Sequence, residues 1–303
     1  MTINVALSTS EAIVLGCDSL SSVTQPVVHS HPDNIAYKDG EMLLDDEGAP
    51  CFTAKAITHN VVNVFGGVRK MFCIYESGDF HVAGVTAGLA ILEGMTIAEH
   101  ANKFRRENRH SQELQSVDAV AAVFLEYIRE KWEITVGYKP SDEHDQFSAP
   151  YPPLEFLVAG FEPSGEGRVY RLDVSNDSMA LQHDGSEGIA WAGQANYVQR
   201  LIMGFDATLG ASLIQEGGVS EDYLARLRRQ VGTNIDFANL PTQYAIDFVE
   251  MLVNTQSGMQ RFEPGIATVG GRTHIGVLRR GERFTMLNEP ELVHKHTGFN
   301  HDD

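Results

Sequence analysis

The chain of 303 residues is long enough for one large domain or two small ones with a sizeable hydrophobic core. Its 41 acidic residues outnumber 23 basic ones, and we expect the resulting net charge of −18 to repel nucleic acid and anionic membranes. Three cysteines without a CxxC pair argue against a disulfide framework, and the N-terminus lacks the basic and apolar stretches of a signal peptide, so we expect a cytoplasmic protein.

The first predicted element is a β-hairpin. Apolar and polar or small residues alternate over residues 3–7, and residues 12–18 form a second apolar run after the turn Ser-Thr-Ser-Glu. If the turn centres near residue 10, the numbers of paired residues sum to about 20, and Thr2 faces Asp18. The sequence therefore predicts that these two side chains are neighbours in space.

The rest of the chain alternates between blocks of strands and blocks of helices. Residues 22–50 are polar and irregular, which predicts an inserted loop or an extra hairpin. The later predicted elements are strands at 56–67, 70–75 and 79–88, helices at 89–108 and 115–134, a loop at 137–153, strands at 154–161, 168–173 and 188–193, helices at 195–204, 220–230 and 241–256, and strands at 266–270, 273–280 and 283–287. Because helices do not follow every strand, this order favours an α+β fold over a parallel βαβ sheet.

A threonine at position 2 has the chemistry of a nucleophile if its own free α-amine acts as the base. That amine has an ordinary pKa of about 7.7–8.0, so a large share is neutral near physiological pH. A nearby lysine lowers the pKa of the amine further, and an aspartate holds the lysine in place. The reaction also needs a backbone N–H that binds the oxyanion. Alone, Thr2 is a weak signal, because many proteins begin with Met-Thr.

Several segments, in order along the chain, resemble those of a proteasome β-type subunit. They are MTINVALSTSEAIVLGCDS with its Thr-to-Asp spacing of sixteen, KMFCIYESGDFHVAGVTAGLA (70–90), LEFLVAGFEPSGEGRVYRLD (154–173), GIAWAGQANYVQRLI (188–202) and PTQYAIDFVEMLVNT (241–255). The nearest branch is that of the bacterial ancestral β-subunits, whose small-residue motif also reads Thr-Ala-Gly.

The resemblance implies an N-terminal-nucleophile fold, a four-layer αββα sandwich with two antiparallel sheets between helical layers. It implies one domain over 1–303, with insertions at about 22–50 and 136–153 and a polar tail from about 289. It implies hydrolysis of amide bonds in a peptide or unfolded protein, with no cofactor and no metal. Relatives form rings or helical stacks, so we expect a homo-oligomer, and the sequence does not identify an ATPase partner.

The resemblance also assigns roles to individual residues. Thr2 matches the nucleophile once the initiator methionine is removed, and Asp18 matches the carboxylate that pairs with the lysine of the family. Lys70 matches that lysine because it opens a strand leading to the glycine motif, and Lys55, which also precedes an apolar run, is the alternative. Gly88 matches the glycine whose N–H forms the oxyanion hole.

Three departures from the family pattern support a second hypothesis. Residues 192–194 read Ala-Gly-Gln where the family has Ser-Gly, and residues 265–269 read Gly-Ile-Ala-Thr-Val where it has an Asp and a Ser. Leu20 replaces a common arginine. Since the missing groups support the N-terminal amine, the chain is alternatively a catalytically inactive ring subunit or scaffold.

The motif HSHPDN supports a third hypothesis, a metal-dependent hydrolase that uses His29, His31 and Asp33. Neutral imidazoles and a carboxylate are suitable zinc ligands. The metallo-β-lactamase pattern, however, continues with another histidine, and here Asn34 follows. We therefore expect this motif to form a polar surface loop.

Overall fold

The computed structural model describes residues 2–38, 40–53, 56–138, 151–183 and 187–288. Within these ranges the strands are β1 Ile3–Ser8, β2 Ala12–Cys17, β3 Ser21–Val28, β4 Tyr37–Lys38, β5 Glu41–Met42, β6 Ile57–Phe65, β7 Met71–Ser77, β8 Phe80–Gly88, β9 Ile91–Leu92, β10 Met95–Thr96, β11 Leu154–Phe161, β12 Gly167–Asp173, β13 Ser178–Leu181, β14 Gly188–Gly193, β15 His274–Arg279 and β16 Thr285–Met286. The helices are α1 Ile97–Glu107, α2 Val117–Val136, α3 Asn196–Met203, α4 Ala207–Gln215, α5 Glu221–Val231 and α6 Thr242–Gln260.

Two five-stranded antiparallel sheets carry most of the strands, and the α+β prediction is confirmed. The first sheet has the order β14-β1-β2-β15-β16, and the second has the order β13-β12-β11-β8-β7. The strand that follows Thr2 therefore lies inside one sheet, and the strand that follows Lys70 is an edge of the other.

Both faces of β1 are covered, which explains why all six of its residues are buried. On one face, Ile3, Val5 and Leu7 pack with apolar side chains of α3 and α6. On the other face, Ala6 joins a cluster with residues of the second sheet, including Val85 and Leu157. A third cluster joins the second sheet to α1 and α2. Because alternate side chains point to opposite faces of a strand, the large residues of β1 pack on the helices and Ala6 packs on the second sheet.

The N-terminal hairpin forms as predicted, but its register is shifted by one residue. Asn4 pairs with Cys17, so paired numbers sum to 21 and Ile3, not Thr2, stands opposite Asp18. The cause is the turn, in which Thr9 N–H donates to the Ala12 carbonyl while the Thr9 hydroxyl oxygen accepts from Ala12 N–H. This four-residue turn places the centre between residues 10 and 11.

The predicted helix at 89–108 begins only at Ile97. Strands β9 and β10 form a small hairpin before it, with Glu93 and Gly94 at positive φ in the turn. Thr96 then caps the helix, because its hydroxyl accepts from Glu99 N–H and the Glu99 carboxylate accepts from Thr96 N–H. This reciprocal capping box fixes where the helix starts.

Strands β3 and β6 pair in a two-stranded ribbon of their own, with the β4–β5 hairpin between them in the chain. The strand predicted at 56–67 therefore belongs to this ribbon and not to either large sheet.

The strand predicted at 266–270 is absent from the described structure, which has a loop there, whereas α4 and β13 were missed. Residues 139–150, Lys55 and the tail from 289 lie outside the described residues. None of the described helices is long and apolar enough to cross a membrane.

Candidate active site

Lys70 connects Thr2 and Asp18. Its Nζ donates to Thr2 Oγ1 at 2.6 Å and to Asp18 Oδ1 at 2.8 Å. All three residues are buried, with exposed fractions of 4% for Thr2, 1% for Asp18 and 5% for Lys70. Charge-assisted hydrogen bonds away from water are stronger than neutral ones. Three of the four residues predicted for the site thus lie in direct contact.

Strand ends place these side chains. Thr2 immediately precedes β1, and its carbonyl accepts from Gln194 N–H at 2.7 Å just beyond β14. Asp18 immediately follows β2, and Lys70 immediately precedes β7 in the other sheet. The Lys70 carbonyl accepts from Thr86 N–H at 3.0 Å, which fixes the backbone from which the side chain extends.

The Asp18 carboxylate is fully engaged by donors. Oδ1 accepts from Ile3 N–H at 3.2 Å in addition to Lys70, and Oδ2 accepts from Leu20 N–H at 3.2 Å and Gly270 N–H at 3.0 Å. A buried carboxylate needs such compensation for the water it has lost. Gly270, the last residue of the strand predicted at 266–270, is therefore a supporting residue of the site.

Gly88 is the last residue of β8, and its conformation requires glycine. Its φ is +106°, and an added Cβ would collide with the Pro153 carbonyl. The preceding residue, Ala87, lies beside Gly193, since a Cβ on Gly193 would stand 3.1 Å from the Ala87 Cβ and against the Thr2 carbonyl. Gly88 thus follows directly on the segment that flanks Thr2, and the oxyanion role of its N–H stays a prediction.

A buried amide network, missed by sequence reasoning, supports Gln194. Gln194 Oε1 accepts from Gln260 Nε2 at 2.6 Å and from the Thr268 hydroxyl at 3.2 Å. Gln260 Oε1 in turn accepts from Val269 N–H at 2.9 Å. Gln194 and Thr268 fall in the two segments where the sequence departs from the family pattern. The network thus links these segments to the backbone that binds Thr2.

Two titratable neighbours of the charged pair stay neutral. Burial raises the pKa of Cys17 to about 12, and the charge of Asp18 adds to this rise, so the thiol keeps its proton. Cys17 is thus a free, buried cysteine. Burial also lowers the pKa of His274, although Asp18 opposes the shift. The Lys70–Asp18 ion pair is therefore set among neutral neighbours.

The HSHPDN segment lies in an exposed loop. The His29 ring contacts the Thr58 hydroxyl at 2.7 Å, and the His31 ring lies 3.3 Å from the Asp33 carboxylate with both side chains largely in solvent. In the part of the chain that the structure describes, these residues do not gather into a group of three that could hold a metal ion. This geometry agrees with the polar surface loop that the sequence predicts for the segment.

A scan of protein-family models and a search of curated proteins found no match. Solved structures of Anbu (ancestral β-subunit) proteins are similar to this one. The Anbu Gly-1 mutant from Hyphomicrobium sp. strain MC1 matches with a TM-score of 0.54 at 10% identity over 95% of this chain and 87% of that chain. Anbu from Pseudomonas aeruginosa, which forms a helical assembly, matches with a TM-score of 0.52 at 14% identity over 95% and 88%.

The chain shares the fold of the Anbu proteins. At such low identity the likeness concerns the fold alone, and the resemblance to β-type subunits inferred from sequence segments is supported at that level. The chemistry at Thr2 has to be argued from the side chains of this chain.

Proposed function

We propose that the protein is a proteasome-like threonine peptidase that hydrolyses amide bonds through Thr2 after removal of Met1. The observation that carries the proposal is the pair of hydrogen bonds from one lysine, 2.6 Å to Thr2 Oγ1 and 2.8 Å to Asp18 Oδ1. A lysine held by a buried carboxylate directs a positive charge at the threonine oxygen.

In this mechanism the Thr2 α-amine takes the hydroxyl proton while Oγ1 attacks the substrate carbonyl carbon. The Lys70 ammonium donates to Oγ1 and stabilises the negative charge that develops there, and Asp18 holds Lys70 in position. The Gly88 N–H binds the oxyanion. The protonated amine then gives its proton to the leaving nitrogen as the C–N bond breaks. Water, deprotonated by the same amine, cleaves the ester and restores Thr2.

The proposal extends to the architecture and the assembly. The apolar clusters on both faces of both sheets support a single-domain, four-layer αββα sandwich. The helical assembly of the Pseudomonas aeruginosa Anbu complex supports self-association of this chain as a stack or ring. A peptide or an unfolded protein is the substrate, and the cytoplasm is the compartment.

Fluorogenic peptides incubated with the wild type, Thr2→Ser and Thr2→Val test the proposal. Valine keeps the shape of threonine but lacks the hydroxyl, so we expect hydrolysis to stop, whereas serine retains it. Equal hydrolysis by Thr2→Val and the wild type would overturn the proposal.

A catalytically inactive subunit or scaffold is the alternative function. The observation that favours it is the replacement of the family's serine and aspartate by the network of Gln194, Gln260 and Thr268, which contains no charged group. This alternative predicts that Met1 is retained and that no variant of Thr2 changes any activity. The third hypothesis, a metal hydrolase at His29, His31 and Asp33, receives no support from the geometry of that loop.

A further inference from the structure

A second cluster of reactive side chains lies on the hairpin formed by β7 and β8. Glu76 and His81 are directly opposite each other across the two strands. A bulge between Cys73 and Tyr75 shifts the register, so Cys73 shares a side of the hairpin with Glu76 three residues later. The Cys73 sulfur, a Glu76 carboxylate oxygen and a His81 ring nitrogen all lie within 4.8 Å of one another.

We propose that Cys73, Glu76 and His81 bind a Zn²⁺ ion, with an anionic group as the fourth ligand. Thiolate, imidazole and carboxylate groups are each common ligands of zinc in proteins. In a tetrahedral site with bonds of 2.0–2.3 Å, ligand atoms stand about 3.5 Å apart. Since Glu76 is exposed, its side chain can rotate to close the remaining gap.

His81 is the part of the cluster that points most directly to a ligand. The residue is only 6% exposed, yet its Nε2 has no hydrogen-bond partner among the described residues. Because a neutral imidazole binds a metal ion through a ring nitrogen that carries no proton, this unpartnered Nε2 is suited to a bond with a metal ion.

Arg105 provides the positive charge for this cluster when no metal is bound. Its Nε lies 3.9 Å from a Glu76 carboxylate oxygen, and Arg105 and Cys73 line the same cavity. Zn²⁺ would replace this loose contact with bonds to the Cys73 thiolate and the Glu76 carboxylate. The two negative charges of these ligands neutralise the charge of the ion. The Cys73 thiol releases its proton to solvent in the exchange.

The neighbouring cavity supports an anion as the fourth ligand. It has a volume of about 470 Å³ and is lined by Arg69, Arg106 and Arg283 as well as by the three proposed ligands and Arg105. Guanidinium groups bind carboxylates and phosphates with two parallel hydrogen bonds. Such a concentration of arginines is notable on a chain with net charge −18. A zinc ion with three protein ligands leaves a position open toward this cavity.

Titration of the full chain with Zn²⁺ by calorimetry, and with Co²⁺ by absorption spectroscopy, tests the site. We expect about one ion per chain, thiolate-to-cobalt bands, and binding weakened at least about tenfold in Cys73→Ser, Glu76→Gln and His81→Gln. Glu76→Gln changes an exposed side chain and leaves the fold intact even if His81→Gln does not. Cys51→Ser removes a cysteine outside the cluster, and Thr2→Val removes the proposed nucleophile, so both should bind as the wild type does.

Two results would overturn the inference. If Cys73→Ser and Glu76→Gln bind Zn²⁺ as tightly as the wild type, the ion is held elsewhere. If added acetate leaves the cobalt spectrum of the wild type unchanged, the fourth ligand is not an anion from the cavity. Neither readout depends on peptidase activity.

Discussion

Lys70 Nζ lies 2.6 Å from Thr2 Oγ1, although 68 residues separate the two in the chain. The two residues precede strands of different sheets, so the contact forms only when the sheets pack together. The same Nζ also donates to Asp18 Oδ1 at 2.8 Å. The Lys70 side chain therefore links the proposed nucleophilic hydroxyl of Thr2 to a buried carboxylate. Changes at Lys70 should therefore affect reactivity and stability together.

Lys70→Met should slow labelling of Thr2 by an active-site probe about 10²- to 10³-fold, because the charge directed at Oγ1 is lost. It should also lower the free energy of unfolding by about 3–5 kcal/mol, because Asp18 is left buried without its cation. Labelling kinetics and urea unfolding measure the two effects. Lys103→Met, at a half-exposed ion pair, is the control and should change neither. Labelling of Lys70→Met at the rate of the wild type would count against the proposed role.

Gly88→Ala should be far more damaging than Gly265→Ala. Both glycines have φ of +106°, so alanine adds the same backbone strain of about 1–2 kcal/mol. Around Gly265 no described atom lies within 4 Å of an added Cβ, whereas at Gly88 the Cβ meets the Pro153 carbonyl. Gly88→Ala should displace the N–H assigned to the oxyanion and abolish probe labelling. Equal labelling of the two variants would remove Gly88 from the site.

Gly193→Ala should disturb Thr2 itself. Its Cβ would press against the Thr2 carbonyl, while Gly94→Ala, at nearly the same φ (+79° against +75°), adds a methyl group in open space. We expect similar strain in both variants but a loss of labelling only in Gly193→Ala. Thermal unfolding and labelling separate the two effects, and intact labelling in Gly193→Ala would show that the position of Thr2 does not depend on this contact.

The unfolding free energy should fall as the pH drops below the ordinary histidine pKa of 6.5. Burial lowers the pKa of His274, so in this range the unfolded chain binds a proton that the folded chain does not. Stability is therefore complete above pH 6.5 and declines as the pH falls toward the lowered value. His274→Gln should reduce the slope of the unfolding free energy against pH, as measured by urea unfolding. Part of the slope should remain, since burial also lowers the pKa of His81.

Local patterns predicted the parts of the site that are close in sequence. Alternation over residues 3–7 and 12–18 placed Thr2 and Asp18 at the open end of one hairpin, and the register error of one residue comes from the turn at Thr9. The helix start at Thr96 was readable, because Thr-Ile-Ala-Glu is a capping-box sequence. The prediction of a strand at 266–270 is wrong because the backbone of this segment instead donates hydrogen bonds to Gln260 and Asp18.

Distant support for the site left no such pattern. Gly270 reaches Asp18 across 252 residues, and Gln260 reaches Gln194 across 66. The contacts of this glycine and these glutamines form only when the strands and helix α6 pack together. No periodic pattern in the sequence therefore indicates their role. Lys70 was identified only through the resemblance, since a lysine before a strand otherwise indicates a solvated turn.

The most direct test is the intact mass of the purified protein with and without a β-lactone or epoxyketone probe. The proposed function predicts a mass lacking Met1 and a probe adduct that maps to Thr2. A protein that retains Met1 and gains no adduct has its Thr2 amine locked in a peptide bond, and that result would contradict the peptidase mechanism and support the scaffold alternative.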